Sequence, residues 1–179
     1  MVPSIQLAAR PGNVGAYFNF IRPMPLTVEE IAFSLAKICR FTGHCNEFYS
    51  VAQHSVLVSR LGTTHEERVH GLFHDAVEAV VGDMSSPLKM LIPQYKEIEQ
   101  KCEEVILEGL GLPRKLCAAV KVNDLRMLAA EKHDLMPDSA MEWAVLKGVK
   151  APTETIVPIT NWRHAAMEFL AEARKLGMY

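Results

Sequence analysis

Five side chains in the middle of the sequence are of types that do chemistry when they are brought together: His54, His74, Asp75, Glu78 and Asp124. Two imidazoles and two carboxylates form a mixed nitrogen and oxygen donor set. Such a set suits a borderline divalent metal and leaves positions for water and substrate. Each residue also has a plainer reading. A lone histidine on an apolar face is usually a hydrogen-bonded core residue, and Asp124 has Lys121 and Arg126 nearby as salt-bridge partners. The combination carries more weight than any member of it, because the groups fall on three separate predicted helices, each on an apolar face.

The central stretch is His70-Gly-Leu-Phe-His74-Asp75-Ala-Val-Glu78. Read as one continuous helix, it puts His74 and Glu78 four residues apart, and Asp75 and Glu78 three apart, so the three polar groups cluster. Val69, Leu72, Phe73, Ala76, Val77 and Val80 surround them, which marks the helix as central to the domain. Burying an imidazole and two carboxylates costs several kcal/mol or so unless they are paired or metal-bound. His54 shares a face with Val51, Leu57, Val58 and Leu61, and Asp124 with Val120, Met127 and Leu128.

Helices must position these groups. Thr27 with Glu30, Ser50 with Gln53 and Thr64 with Glu67 each form a capping-box pattern. They predict helices from 27 to about 40, from 50 to about 61 and from 64 to about 81, the last stopped by Gly82. Phe41–Tyr49 reads as a loop. Ser86-Pro87 starts a short helix that Pro93 ends. Further helices follow over 95–110, 113–136 (one long or two short), 139–147 and 162–176. Residues 1–26, punctuated by prolines and glycines, read as an irregular lead-in packed on the domain, with a small hairpin near Ala16–Ile21. No run of alternating strands stands out. The expected fold is therefore all-α, with one compact helical domain over 27–179.

The composition restricts the function. In 179 residues the net charge is −2 with histidine neutral, so neither nucleic acid nor an anionic membrane is expected as a stable partner. No apolar run is long enough for a membrane span, and Met1–Gly12 lacks a signal-peptide core. Cys39, Cys45, Cys102 and Cys117 contain no C-x-x-C pair, and an intracellular chain with reduced thiols is the simplest reading.

Several stretches together resemble a known family, the HD-domain phosphohydrolases. They are Ile38-Cys-Arg-Phe-Thr-Gly-His44, Phe48-Tyr-Ser-Val-Ala-Gln-His54-Ser, Gly71-Leu-Phe-His74-Asp75-Ala-Val-Glu78, Gly82-Asp83-Met-Ser-Ser-Pro87-Leu-Lys89 and Asp124-Leu-Arg-Met-Leu-Ala-Ala-Glu131. They look like the small bacterial and phage branch related to 5'-deoxynucleotidases, and the likeness covers roughly residues 27–136. It implies that His54, His74, Asp75 and Asp124 bind one divalent metal ion (Mn, Co, Zn, Fe or Mg). Glu78 matches the acidic residue that handles the proton of the attacking water. Arg40 and Phe41 match an arginine and a tryptophan that face the nucleotide, the tryptophan being replaced here by phenylalanine. Asp83 matches a second acidic position near the sugar and the reacting phosphate. Lys89 is assigned to a phosphate and His44 to the pocket mouth.

The implied activity is removal of 5'-phosphate groups from deoxynucleotides. The phage relatives that act on deoxyadenosine triphosphate offer a triphosphohydrolase as an alternative, and a non-catalytic nucleotide-binding domain is another. The resemblance also implies a homo-oligomer in the cytoplasm of a bacterial or phage-infected cell. Some HD proteins hold further metals and carry out oxidations, but no second ligand set lies on apolar faces here. His70, one turn before His74, either supports a ligand or lies on the helix surface. His65, His133 and His164 read as surface residues.

Overall fold

A computed structural model describes residues 3–7 and 17–179 and is predominantly helical, so the fold class is all-α as expected. Strands β1 (Ser4–Gln6) and β2 (Tyr17–Asn19) pair antiparallel, Ile5 opposite Phe18. The expected hairpin near Ala16–Ile21 thus overlaps β2, while Ala16 itself lies outside the described residues, as do residues 1–2 and 8–15 of the expected lead-in. The helices are α1 (Val28–Leu35), α2 (Val51–Leu61), α3 (His65–Phe73), α4 (Glu78–Val81), α5 (Ser86–Lys89), α6 (Pro93–Gly109), α7 (Ala118–Asp134) and α8 (Trp162–Lys175). None of the described helices is long and apolar enough to cross a membrane.

Local chemistry sets the helix starts. Thr27 accepts from the Glu30 amide while Glu30 reaches back to the Thr27 amide, so both halves of the capping box form. Ser50 caps α2 through the Gln53 amide, but the Gln53 side chain turns elsewhere, to the Val157 carbonyl and the Ile159 amide. Thr64 caps α3, and Glu67 reaches one residue further back than expected, to the amide and hydroxyl of Thr63.

Helix α2 runs through the middle of the domain, packed against α3, α7 and α8. The main core gathers Phe18, Ile31, Leu35, Phe73, Ile106 and Phe169, all fully buried. Phe73 and Phe169 meet edge to face at 5.6 Å. A smaller cluster of Tyr49, Val58, Met127, Ala130, Leu135 and Ile156 fills the space on the α7 side.

Three expectations about elements are corrected. The first helix ends at Leu35 rather than near Arg40, and Arg40–Gly43 form a separate 3₁₀ turn. The helix expected from 64 to 81 ends at Phe73. The chain then tightens into three-residue turns, Ala76 N–H to the Phe73 carbonyl and Glu78 N–H to the Asp75 carbonyl, before α4 resumes. The segment 139–147 is irregular apart from a 3₁₀ turn at Ala144–Leu146; Trp143 packs there against Phe41 at 6.1 Å, so tertiary contact prevails over helix propensity.

Gly71 sets the approach of α3 to α2. A Cβ there would stand 3.0 Å from the Ser59 Cα and 3.2 Å from the Val58 carbonyl carbon, both backbone atoms of α2 that cannot swing aside. Gly71→Ala is expected to force the two helices apart and to destabilise the protein by about 1–3 kcal/mol, the usual cost of overpacking. Urea unfolding measures it, and an unchanged midpoint would show that the crossing has slack.

Candidate metal centre

The crossing of α2 and α3, with α7 alongside, brings the chemistry-bearing residues together. His54 projects from the middle of α2 and is fully buried. His74 caps the C-terminus of α3, and Asp124 lies on α7. The His54 and His74 Nε2 atoms are 3.3 Å apart, and His54 Nε2 is 3.4 Å from Asp124 Oδ1. One ligand atom from each of these three residues lies within 4.8 Å of the others, a group that could hold a metal ion. Asp75 borders it, with Oδ2 3.3 Å from His74 Nε2 and 3.7 Å from His54 Nε2. The four expected ligands are thus neighbours, three of them in the tight group.

The outer hydrogen bonds test whether these residues fit a cation. His54 Nδ1 lies 2.5 Å from Glu131 Oε1, and His74 Nδ1 lies 2.8 Å from the Gly71 carbonyl. Each outer partner is an acceptor, so each Nδ1 carries its proton and donates. With Nδ1 carrying the proton, a ring without a second proton would direct its Nε2 lone pair at the other ring and at the carboxylates. Four electron-rich atoms facing one another repel unless a positive charge stands among them. In the protein alone a proton meets this demand: against burial and the Arg40 charge, Glu131 and Asp124 raise the His54 pKa to about 9. Asp124 is held far below the usual carboxylate range against burial, chiefly by His54. Its Oδ2 also pairs with Lys121 at 3.0 Å, so the salt bridge foreseen as a plainer role exists beside the cluster contact.

Arg40 comes from the turn after α1. Its side chain is buried, with Nη2 2.9 Å from Glu131 Oε2 and Nη1 3.8 Å from Asp75 Oδ2. Phe41 lies under the guanidinium at 5.3 Å. Phe41 and Thr42 both adopt φ of 55°, left-handed backbone that costs a non-glycine residue about 1–2 kcal/mol. The Arg40 amide bonded to the Tyr49 carbonyl and the Cys39–Ser50 bridge hold this turn. His44 is exposed at the end of it.

A second group of charges flanks the cluster. Glu78, at the start of α4, is buried, and its Oε2 has no hydrogen-bond partner. Burial first, then the Asp75 and Asp83 charges, hold its carboxyl well above the usual range. Burial also raises Asp83, opposed by Arg40 and helped by Asp75. Lys89 binds Glu99 at 2.6 Å and stands 3.9 Å from Glu78. In this structure the lysine assigned to a phosphate is therefore engaged by carboxylates.

His70 is not a surface residue, and the hydrogen bond it makes goes to the backbone rather than to one of the four expected ligands. It is buried and accepts a 3.0 Å hydrogen bond from the Cys117 amide at the start of α7, the helix that carries Asp124. His65, His133 and His164 are exposed, as read from the sequence. Sequence reasoning assigned no role to Glu131, Tyr49, Glu99, Glu103 or Trp143. For Glu131 a signal existed, since it follows Asp124 by seven residues on the same helix face and stands beside Met127 and Ala130.

The fold and this centre define an all-α protein with a buried histidine–aspartate group able to hold a metal. No protein-family model matches the chain. It is 46% identical over 135 residues to the uncharacterized protein YfdR of Escherichia coli (strain K12), a match covering 75% of either chain, and it belongs to the same family. An uncharacterized protein of Rhodobacter capsulatus is 37% identical over 108 residues, 55% of either chain.

Glu103 on α6 makes the flank sensitive to pH. Burial, then Glu99 and Asp75, push its carboxyl from 4.5 up to about 7. The folded metal-free protein therefore binds this proton more tightly than the unfolded chain does, and stability falls as pH rises from about 4.5 to 7. Glu103→Gln removes the penalty. In metal-free protein its Tm is expected to exceed that of the wild type at pH 8 and to match it at pH 4; a difference of equal size at both pH values would contradict this.

Proposed function

We propose that this protein is a metal-dependent phosphohydrolase that removes the 5'-phosphate group or groups of deoxynucleotides. The observation that carries the reading is Glu78, a buried carboxyl group with an oxygen that has no hydrogen-bond partner, flanking a histidine–aspartate group that could hold a metal ion. A protein that only binds nucleotides has no use for a proton acceptor at that point. The ordered resemblance to HD-domain phosphohydrolases supports the same reading.

A divalent ion at His54, His74, Asp124 and Asp75 would supply acidity to a water and positive charge for a phosphoryl oxygen. Everything else is done by the chain. Glu78, ionised once a cation beside it offsets the Asp75 charge, takes the proton of the attacking water through Oε2 and returns it to the leaving 5'-oxygen. Arg40, fixed by Glu131, presents permanent charge to the phosphoryl oxygens as charge spreads over them in the transition state. Asp83 accepts from a sugar hydroxyl, and Phe41 with Trp143 offers ring faces to a sugar or base. Lys89 reaches phosphate by exchanging one of its carboxylate partners for it.

One kinetic panel tests this: phosphate release from nucleoside mono-, di- and triphosphates and from para-nitrophenyl phosphate, with Mn, Co, Mg or Zn. Deoxynucleotides are expected to be the best substrates. Glu78→Ala is expected to keep its metal and lose about two to four orders of magnitude in rate, and Arg40→Ala to lose more kcat/KM on nucleotides than on the aryl phosphate. The absence of nucleotide hydrolysis with every metal would end the nucleotidase reading.

A further inference from the structure

We infer that Glu131 is the positioning residue of this centre: one oxygen of its carboxylate orients the His54 ring for the metal, and the other holds Arg40 for phosphate. This deepens the phosphohydrolase reading and rests on it.

Glu131 lies on α7 seven residues after Asp124, with no solvent exposure. Oε1 is 2.5 Å from His54 Nδ1, and Oε2 is 2.9 Å from Arg40 Nη2. Both partners are members of the site, and each turns its other end inward. His54 Nε2 lies 3.4 Å from Asp124, and Arg40 Nη1 lies 3.8 Å from Asp75. Glu131 therefore stands behind the cluster on the side away from the ligand atoms. Burial first, then the Glu131 charge, hold the Tyr49 phenol well above its usual range.

The chemistry of the pair of bonds explains why the residue must be a glutamate. Two donors, an imidazole N–H and a guanidinium N–H, converge on one side chain, and a carboxylate has an acceptor oxygen for each. A glutamine of the same shape has one acceptor oxygen and one NH₂ group. Whichever way the amide turns, N–H meets N–H on one side, and either His54 or Arg40 loses its anchor. If His54 loses it, the Nδ1 proton is no longer fixed and the Nε2 lone pair is no longer committed to the metal. If Arg40 loses it, a buried guanidinium is left to Asp75, which competes with the metal for that carboxylate. The single charge thus links metal retention to phosphate binding.

The test uses the full chain and reads binding apart from turnover. Zn affinity is measured by competition with a chromophoric chelator, and inorganic phosphate binding to the Zn-loaded protein by calorimetry, with circular dichroism to check the fold. Glu131→Gln is expected to weaken Zn about 10–100-fold, the usual effect of removing a partner behind a metal ligand, and to weaken phosphate as well. Glu131→Asp, which keeps both acceptors and the charge, is expected to recover part of each affinity. If Glu131→Gln does not fold, Glu131→Asp carries the test against wild type, with both affinities reduced. A folded variant with both affinities within about twofold of wild type overturns the inference, because a merely structural ion pair would lower Tm and leave them unmoved. Wild type that fails to bind Zn at all contradicts the metal-centre reading itself, a result distinct from equal binding by wild type and variant.

Discussion

Mutual repulsion among electron-rich atoms is the constraint on which this structure turns. Two imidazole Nε2 atoms 3.3 Å apart, with Asp124 and Asp75 oxygens 3.3 to 3.7 Å from one or other ring, form an arrangement that a positive charge among them stabilises. The surrounding bonds prevent the rings from escaping by changing tautomer. Glu131 and the Gly71 carbonyl fix the protons on the outward nitrogens, so the inward lone pairs have nowhere else to go. A proton can serve, but a divalent cation serves all four groups at once.

The charges around the cluster extend the same logic. Arg40 and His54 share Glu131, and Arg40 leans toward Asp75, so a chain of alternating charge runs from the turn after α1 to the histidine–aspartate group. On the other flank the carboxylates Glu78, Asp83, Glu99 and Glu103 gather near Lys89, and Arg40 acts on Glu78 and Asp83 from across the centre. Burial and mutual repulsion hold the carboxyls of Glu78, Asp83 and Glu103 above their usual range. One side of the centre is a buried, ionised clamp of Arg40, Glu131 and His54; on the other, Glu78, Asp83 and Glu103 bind protons more tightly than free carboxylates do. That division is the basis for the roles proposed for Arg40 toward phosphate and for Glu78 toward a proton.

Much of this was legible in the sequence, and the failures have physical causes. Capping pairs at Thr27, Ser50 and Thr64 located three helix starts, because an N-cap is a local interaction between neighbours. Helix ends were harder. The α3 helix gives way after Phe73 although helical periodicity continues to Val81, and local spacing carries no mark of that change. The segment 139–147 takes its shape from Trp143 packing on Phe41, a contact between residues about a hundred positions apart. His54, His74, Asp75 and Asp124 could be picked out because each is polar in apolar company. Glu131 sits in equally apolar company but near a helix end beside Lys132 and His133, where a glutamate reads as solvated. Glu103 reads as one of several charges on an amphipathic helix, and only the packing of α6 shows that it is partly buried where the Glu99 and Asp75 charges repel its own.

The central claim is that the buried group is a cation site and not merely a histidine-rich core. Anomalous X-ray scattering at the manganese absorption edge, from crystals grown with Mn, tests it without reference to activity. The account predicts one peak per chain in contact with His54 Nε2, His74 Nε2 and an Asp124 oxygen. A map with no peak there, or a peak held instead by the Glu78, Glu99 and Glu103 carboxylates, would contradict it.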